Sequence, residues 1–284
     1  MESGTIATAS DREHIAPSAL SKRLSDLEYT LKTRLLERSN RGIEPTAAGT
    51  ELLSLARGVL RDLDNIYAQI KEHGTGTRGV VRIFANISAI AEFMPSSLRS
   101  FMLRFPQVEV QLQEKISSAV QQGVASNIAD VGVYAHGNSD AAGVISLPYQ
   151  KDELVVVVPF NHPLATRHDI GIAETLEYDY VGLHTGSFIN QQLQKAAHAL
   201  DVPFKCRMQV TSFDALSLMV EAGMGIALMP KLIGERFSRF TRIRLLTLTE
   251  AWAHRELRIC VRSIECLPVT ARILVDHLRQ EKVA

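Results

Sequence analysis

The chain lacks most of what marks an exported, membrane-bound or catalytic protein. Its longest apolar run, 154–160, is strand-sized, where a membrane span needs about twenty apolar residues. The first twenty residues carry no apolar stretch of signal-peptide length, so the sequence reads as cytoplasmic. Cysteine is sparse: Cys206, Cys260 and Cys266, without a CxxC, exclude a disulfide scaffold and suit a reducing compartment. There is no GxSxG, HExxH, GxxxxGK[ST] or GxGxxG, and the nine histidines are scattered without metal-ligand spacing. The expectation is therefore no enzyme, no metal and no cofactor. His162, before a proline, and His184, before Thr185, read as loop residues. Net charge is also missing, since 31 Lys and Arg balance 31 Asp and Glu. Any nucleic-acid contact must then use local charge.

What is present begins with Pro17–Leu31. Leu20, Leu24, Leu27 and Leu31 are spaced to share one helical stripe, which predicts a core-facing side. Ser18, Ser21, Lys22 and Ser25 gather on the opposite side, three hydroxyls and one cation on a small, hydrogen-bonding face that fits a DNA major groove. Pro17 suits the first helical position, and residues 13–16 read as a tight connection from a short helix over 5–13. Together they predict a helix-turn-helix with 17–30 as its recognition helix. An ordinary solvated helix would show the same two faces. Residues 35–38 and 43–44 read as short strands around a polar turn, a wing with Arg38 and Arg41 near its tip. Between Ser18 and Arg41 six basic residues stand against three acids, a local balance of +3 suited to phosphates.

From Thr46 to about His73 the pattern predicts one helix, with Leu52, Ala56, Val59, Leu63, Ile66 and Ile70 forming a heptad seam. A seam of that length predicts pairing with a second copy, and hence two recognition helices on an interrupted palindrome. Residues 74–79 form a glycine-rich hinge. Beyond it strands (80–85, 108–113, 129–134, 144–147, 153–158, 180–183, 204–210, 225–228, 243–248, 257–261) alternate with helices (95–105, 118–126, 188–199, 213–222, 231–237, 268–281). Such alternation predicts α/β units with ligand space at the carboxyl ends of strands. The expected division is 1–45 for DNA binding, 46–79 for linker helix and hinge, and 80–284 for a ligand domain. Its first lobe would hold 80–147 and 255–284, its second 150–250.

The run 15–28, with Leu35-Leu36-Glu37-Arg38 and Pro45-Thr46-Ala47-Ala48-Gly49, closely resembles the winged helix-turn-helix of the bacterial LysR-type transcriptional regulators. The resemblance continues through Asp130-Val131-Gly132-Val133, His162-Pro163-Leu164-Ala165 and the segment 220–230, in which Gly223 stops a helix and Pro230 starts one. It implies an α+β multidomain chain: a winged helix-turn-helix, a long dimerisation helix, and a two-lobed α/β domain like a periplasmic solute-binding protein. Its implied partners are double-stranded DNA, a small-molecule effector, and the chain itself as a dimer or tetramer.

Two departures follow. Ala16 stands where the family has a Ser or Thr helix cap, and only Met1-Glu2-Ser3 precede the helix that begins near Thr5, where the family has a further helix packed on the leucine stripe. The resemblance thus implies a winged helix-turn-helix incomplete at its start, from a start codon placed late or from genuine shortening. The competing reading is a dimerising small-molecule-binding protein that no longer holds DNA. Some relatives sense peroxide through a cysteine pair, but no second cysteine lies close to Cys206 in sequence.

In the ligand domain, Asn86 and Ser88 follow the first strand, and Thr185, Gly186 and Ser187 precede a helix. Both places offer backbone N–H groups and a hydroxyl, which favour an anion such as a carboxylate. In the family these positions commonly contact the effector. Tyr134, Ser212 and Phe213 are further candidates for the same wall, while helix capping alone would equally account for Ser88 and Ser187.

Overall fold

The computed structural model describes residues 5–39, 42–72, 78–137 and 141–280; within these, the side chains of 38, 39, 42, 61, 62 and 64–72 are outside the description. The chain divides into two compact units, 1–67 and 68–284, each described here by itself.

In the first unit, α1 (Ile6–Arg12) is capped by Thr5, whose hydroxyl accepts from the Thr8 amide. A turn with His14 at positive φ leads into α2 (Pro17–Leu31), and Lys32, also at positive φ, ends that helix. The strands β1 (Leu36–Ser39) and β2 (Gly42–Pro45) form an antiparallel wing. The Thr46 hydroxyl accepts from Gly49 N and donates to Arg34 O, which starts the long α3 (Ala47–Glu72) and ties it to the wing.

The second unit contains, in order, β3 (Gly79–Ala85), α4 (Ile87–Glu92), α5 (Met94–Arg104), β4 (Val108–Glu114), α6 (Ser117–Ala125), β5 (Val131–Ala135) and β6 (Ile145–Pro159). Next come β7 (Asp169–Ile170), α7 (Ile172–Thr175), β8 (Tyr180–Leu183), α8 (Phe188–Ala199), β9 (Cys206–Val210), α9 (Phe213–Glu221) and β10 (Ala227–Pro230). It ends with α10 (Lys231–Phe237), β11 (Ile243–Leu248), β12 (His254–Val261) and α11 (Val269–Gln280). Gly223, at φ +77°, halts the chain after α9, a conformation that favours glycine.

The expected strands 144–147 and 153–158 are one continuous strand, β6. It runs antiparallel to β12 along its first part and to β10 and β11 along its last, so a single ribbon belongs to both lobes. The sheet order β4-β3-β5-β12-β6-β11-β7, with β10 also on β6, places β6 and β12 at the crossing. One core gathers Val81, Ile83, Phe101, Ile259 and Leu274; the other gathers Leu154, Leu183, Leu193, Leu216 and Leu246. Full burial of each such side chain contributes about 1.5–3 kcal/mol, so each lobe has its own apolar core, and β6 and β12 run through both. Among the described residues no helix is long and apolar enough to cross a membrane.

Candidate functional site

The α2 helix presents Pro17, Ser18, Lys22 and Ser25 to solvent and leaves Ser21 half-buried, with Pro17 at its first turn and Ala16 supplying no side-chain cap. Its last turn is fixed to the wing by Glu28, whose Oε1 accepts from Leu35 N at 2.7 Å and Leu36 N at 3.2 Å. Those two amides hold the Glu28 carboxyl below the usual carboxylate range. Arg38 lies on β1 with its side chain outside the description, and Arg41 lies outside the described residues altogether.

The leucine stripe corrects the sequence reading. No residue of α2 is buried: Leu20 and Leu24 are half-buried, and Leu27 and Leu31 are 42% and 44% exposed. Two of its leucines, Leu24 and Leu27, instead wall an open groove of about 400 Å³ together with Leu35, Leu36, Leu52 and Leu53. Amphipathic spacing specifies an apolar side, but burial requires a second element over it, and among the described residues this one is covered only in part.

In the second unit the lobes meet at a small cavity of about 20 Å³, room for about one water. From the first lobe it is lined by Asn86, Ser88, Lys115, Ile116 and Ser117, from the second by Leu183, His184, Ser187 and Phe188, with Arg255 from the crossing strand β12. Asn86 and Ser187 both spend their side chains as caps, accepting from Ala89 N and Asn190 N. Ser88 caps nothing; its Oγ is 2.8 Å from Arg255 Nη2. Gly186 stands at φ +84°, and a Cβ there would come within 3.1 Å of Ile116 Cδ1 across the cleft. Thr185 is exposed and donates to Gln209 Oε1 at 2.9 Å.

Arg255 is the group that sequence reasoning missed. It is 7% exposed, its Nε donates to Asp152 Oδ2 at 2.6 Å and its Nη2 also reaches that oxygen. The guanidinium carbon sits 5.6 Å from the Phe188 ring centre. Among the described residues, Arg255 Nη1 and Ser117 Oγ are buried without a hydrogen-bond partner. A buried donor left unpaired costs about 1–3 kcal/mol, so the pair is ready for an acceptor. Lys115 and Ser117 could have been anticipated, since they follow β4, which neighbours β3 in the sheet. No motif signals Arg255.

Two expected wall residues are corrected. Tyr134 lies inside β5, fully buried with Phe84, Val120 and Val124, and its hydroxyl is 2.8 Å from Ser146 Oγ. Phe213, the first residue of α9, is packed into the core of the second lobe. Ser212 caps α9 by accepting from Ala215 N, and neither it nor Thr185 nor Gly186 is part of the cavity lining. Among the described residues no cluster of His, Cys, Asp or Glu could hold a metal ion.

A winged helix-turn-helix, a long helix and a two-lobed α/β domain with a charged interlobe cavity define a ligand-responsive transcriptional regulator. Residues 1–50 match the family model "Bacterial regulatory helix-turn-helix protein, lysR family", and residues 74–282 match "LysR substrate binding domain". The chain belongs to the LysR family: it is a DNA-binding transcriptional regulator with an effector-binding domain. These matches do not favour the reading in which DNA binding has been lost. The uncharacterized HTH-type transcriptional regulator YbhD of Escherichia coli (strain K12) is 27% identical over 235 residues, 81% of this chain and 73% of that protein. Full-length CbnR in complex with its target DNA has the same fold, with TM-score 0.65 and 20% identity over 98% of this chain and 95% of that one. The effector-binding domain of QuiR in complex with shikimate matches with TM-score 0.62 and 17% identity, over 72% of this chain and 96% of that one.

Proposed function

We propose that this regulator responds to a small carboxylate received in the interlobe cavity by Arg255 Nη1 and Ser117 Oγ. The observation that carries this reading is the coincidence of those two unpaired buried donors on one cavity, beside Asn86, Ser88 and Ser187. A planar guanidinium suits a carboxylate's geometry and strengthens the bond through charge. The effector-binding domain of QuiR, similar in fold, forms a complex with shikimate, such an acid. At about 20 Å³ the cavity holds no metabolite, so the carboxylate enters as the lobes part and re-forms the contact between them.

At the other end, Pro17, Ser18, Ser21, Lys22 and Ser25 read base edges and adjoining phosphates, while Arg38 and Arg41 hold phosphates from the wing. The α3 seam pairs with a second copy; Val59 and Leu63 on it are 61% and 47% exposed. The protein works in the cytoplasm as a regulator and performs no catalysis.

A thermal-shift screen of small carboxylates, with amide and amine analogues as controls, tests the effector reading. Stabilisation by carboxylates that vanishes in Arg255→Met supports it, and stabilisation only by neutral or cationic compounds overturns it. Gel shifts on the region upstream of its own gene test the DNA assignment. Ser21→Ala or Ser25→Ala should cost about 1–3 kcal/mol of discrimination at one base step, and Arg38→Ala or Arg41→Ala should weaken all sequences and flatten the salt dependence. Equal losses on specific and random DNA for the serine variants would reject the division of roles.

A further inference from the structure

A second and much larger cavity, about 640 Å³, lies where the two crossing strands pass between the lobes. Its floor is the paired segment in which Asp152 of β6 faces Arg255 of β12, and Glu153 faces His254. One wall is Glu92 at the end of α4 in the first lobe; the opposite wall is Lys231, Leu232 and Glu235 on α10 in the second. Glu92 is 6% exposed, and among the described residues neither of its carboxyl oxygens has a hydrogen-bond partner. It is the only residue of α4 that lines this cavity. A carboxyl so placed forgoes hydration without gaining a protein donor, a standing cost that a ligand donor would remove.

Three of the cations around it already hold other partners. Lys231 Nζ is bonded to Glu153 at 2.9 Å, Arg236 Nη1 donates to Ala91 O at 3.0 Å, and Arg255 is held by Asp152 and Ser88. Once Glu92 ionises, the lining holds five acids, Glu92, Asp152, Glu153, Glu235 and Glu256, against Lys151, Lys231 and Arg255. No set of these residues has the geometry to hold a metal ion. The missing charge is therefore one that an organic cation supplies.

We propose that the hinge cavity is a second ligand site, taking a small organic cation whose ammonium donors pair with the buried Glu92 carboxyl. It is separate from the effector cavity but shares Arg255 with it, since that side chain lines both. Burial and the neighbouring Asp152 charge push Glu92 up to about 8, against the pull of Arg255 and Arg236. Glu153, Glu235 and Glu256 add negative charge around the same cavity, while Lys151 and Lys231 oppose it. At pH 7 Glu92 is thus mostly protonated, and a cation that pairs with it drives that proton off. Binding and proton release are then one event: Glu92–COOH and R–NH₃⁺ become Glu92–COO⁻ paired with R–NH₃⁺, and one H⁺ goes to the buffer.

The test uses the full chain and 1,4-diaminobutane, titrated calorimetrically in buffers of different ionisation enthalpy at matched ionic strength. Saturable binding should release close to one proton at pH 7. Affinity should be on the order of 50-fold weaker at pH 6 than at pH 8, the ratio of ionised fractions for a group titrating near 8. In Glu92→Gln, which keeps the volume of the protonated acid, both the binding and the proton release should disappear. The proton count in the unaltered chain needs no variant. Binding without proton release, equal affinity at the two pH values, unchanged binding in Glu92→Gln, no saturable heat at pH 8, or the same response to potassium chloride would each overturn the proposal.

Discussion

Two amphipathic helices, α2 in the first unit and α9 in the second, carry similar patterns and meet opposite fates. On α9 the apolar side is closed over by the second lobe, burying Phe213, Leu216 and Val220. On α2 the leucine side stays open and no residue is buried. The difference teaches that spacing writes the apolar side of a helix but not its cover, which is a property of whatever packs against it. The stability of the second unit should therefore rest on its interior, and that of the first on its joints: Thr5, Glu28 and Thr46 at the ends of its elements.

The contrast breaks most sharply at Asp152. Replacing it with alanine strands the Arg255 guanidinium, buried at 7% exposure, without its counter-charge, a change worth about 3–5 kcal/mol. The full chain should lose that much in urea unfolding of the second unit, with the transition of the first unit unmoved. Leu216→Ala and Leu27→Ala compare the two helices directly. The first, at 1% exposure, should cost about 2–5 kcal/mol through lost burial and a residual cavity. The second, at 42% exposure, should cost within about 0.5 kcal/mol, as an exposed position does. Equal losses would mean that the α2 stripe is covered in solution.

A pH series sharpens the same comparison, because the buried acids raised above their ordinary range, Glu92 and Asp152, both lie in the second unit. Glu92 is raised from the ordinary 4.5 to about 8, so between those values the folded chain keeps a proton that the unfolded chain has released. Stability from this group is full below pH 4.5 and is lost as pH rises toward 8. At about 1.4 kcal/mol per pH unit, the second unit should lose roughly 2–3 kcal/mol from pH 5.5 to 7.5. Glu92→Gln should remove most of that slope from the urea midpoints, leaving the share of the raised Asp152 carboxyl. A slope that survives the substitution would assign the pH dependence to other groups.

Much of the fold is legible in residue spacing: the α2 helix, the wing, the long α3 and the alternation beyond the hinge all have local causes. The continuity of β6 is not, because Pro148 and the charged run after it look like a break, whereas pairing with β12 carries the strand across both lobes. Tyr134 misled for a related reason. All five residues of β5 are buried, so no alternation marks which side faces the cleft. Arg255 was illegible because His254-Arg255-Glu256 reads as a solvated charge run. Only the cross-strand pairing with Asp152 puts its guanidinium inside. Of the two serines open to a capping reading, Ser187 is a cap, whereas the cap after β3 is Asn86 rather than Ser88, and whether a hydroxyl also meets a ligand depends on the facing lobe.

The smallest expected effect returns to α2. Ala16 has φ −64° and ψ 139°, the extended geometry of a helix cap, yet it has no side-chain oxygen for the amides of the first turn. Ala16→Ser should place Oγ where it accepts from the amide of Ser18, a gain of about 1 kcal/mol. Because the first unit has little burial, that gain should raise its own thermal transition visibly while leaving the second unit's transition where it was. The same hydroxyl would stand one residue before Pro17, at the start of the proposed DNA-reading face. Gel shifts should then show affinity for operator and random DNA changing together, if at all, since a cap steadies the helix without touching a base edge. A change in sequence preference would place residue 16 among the reading residues instead.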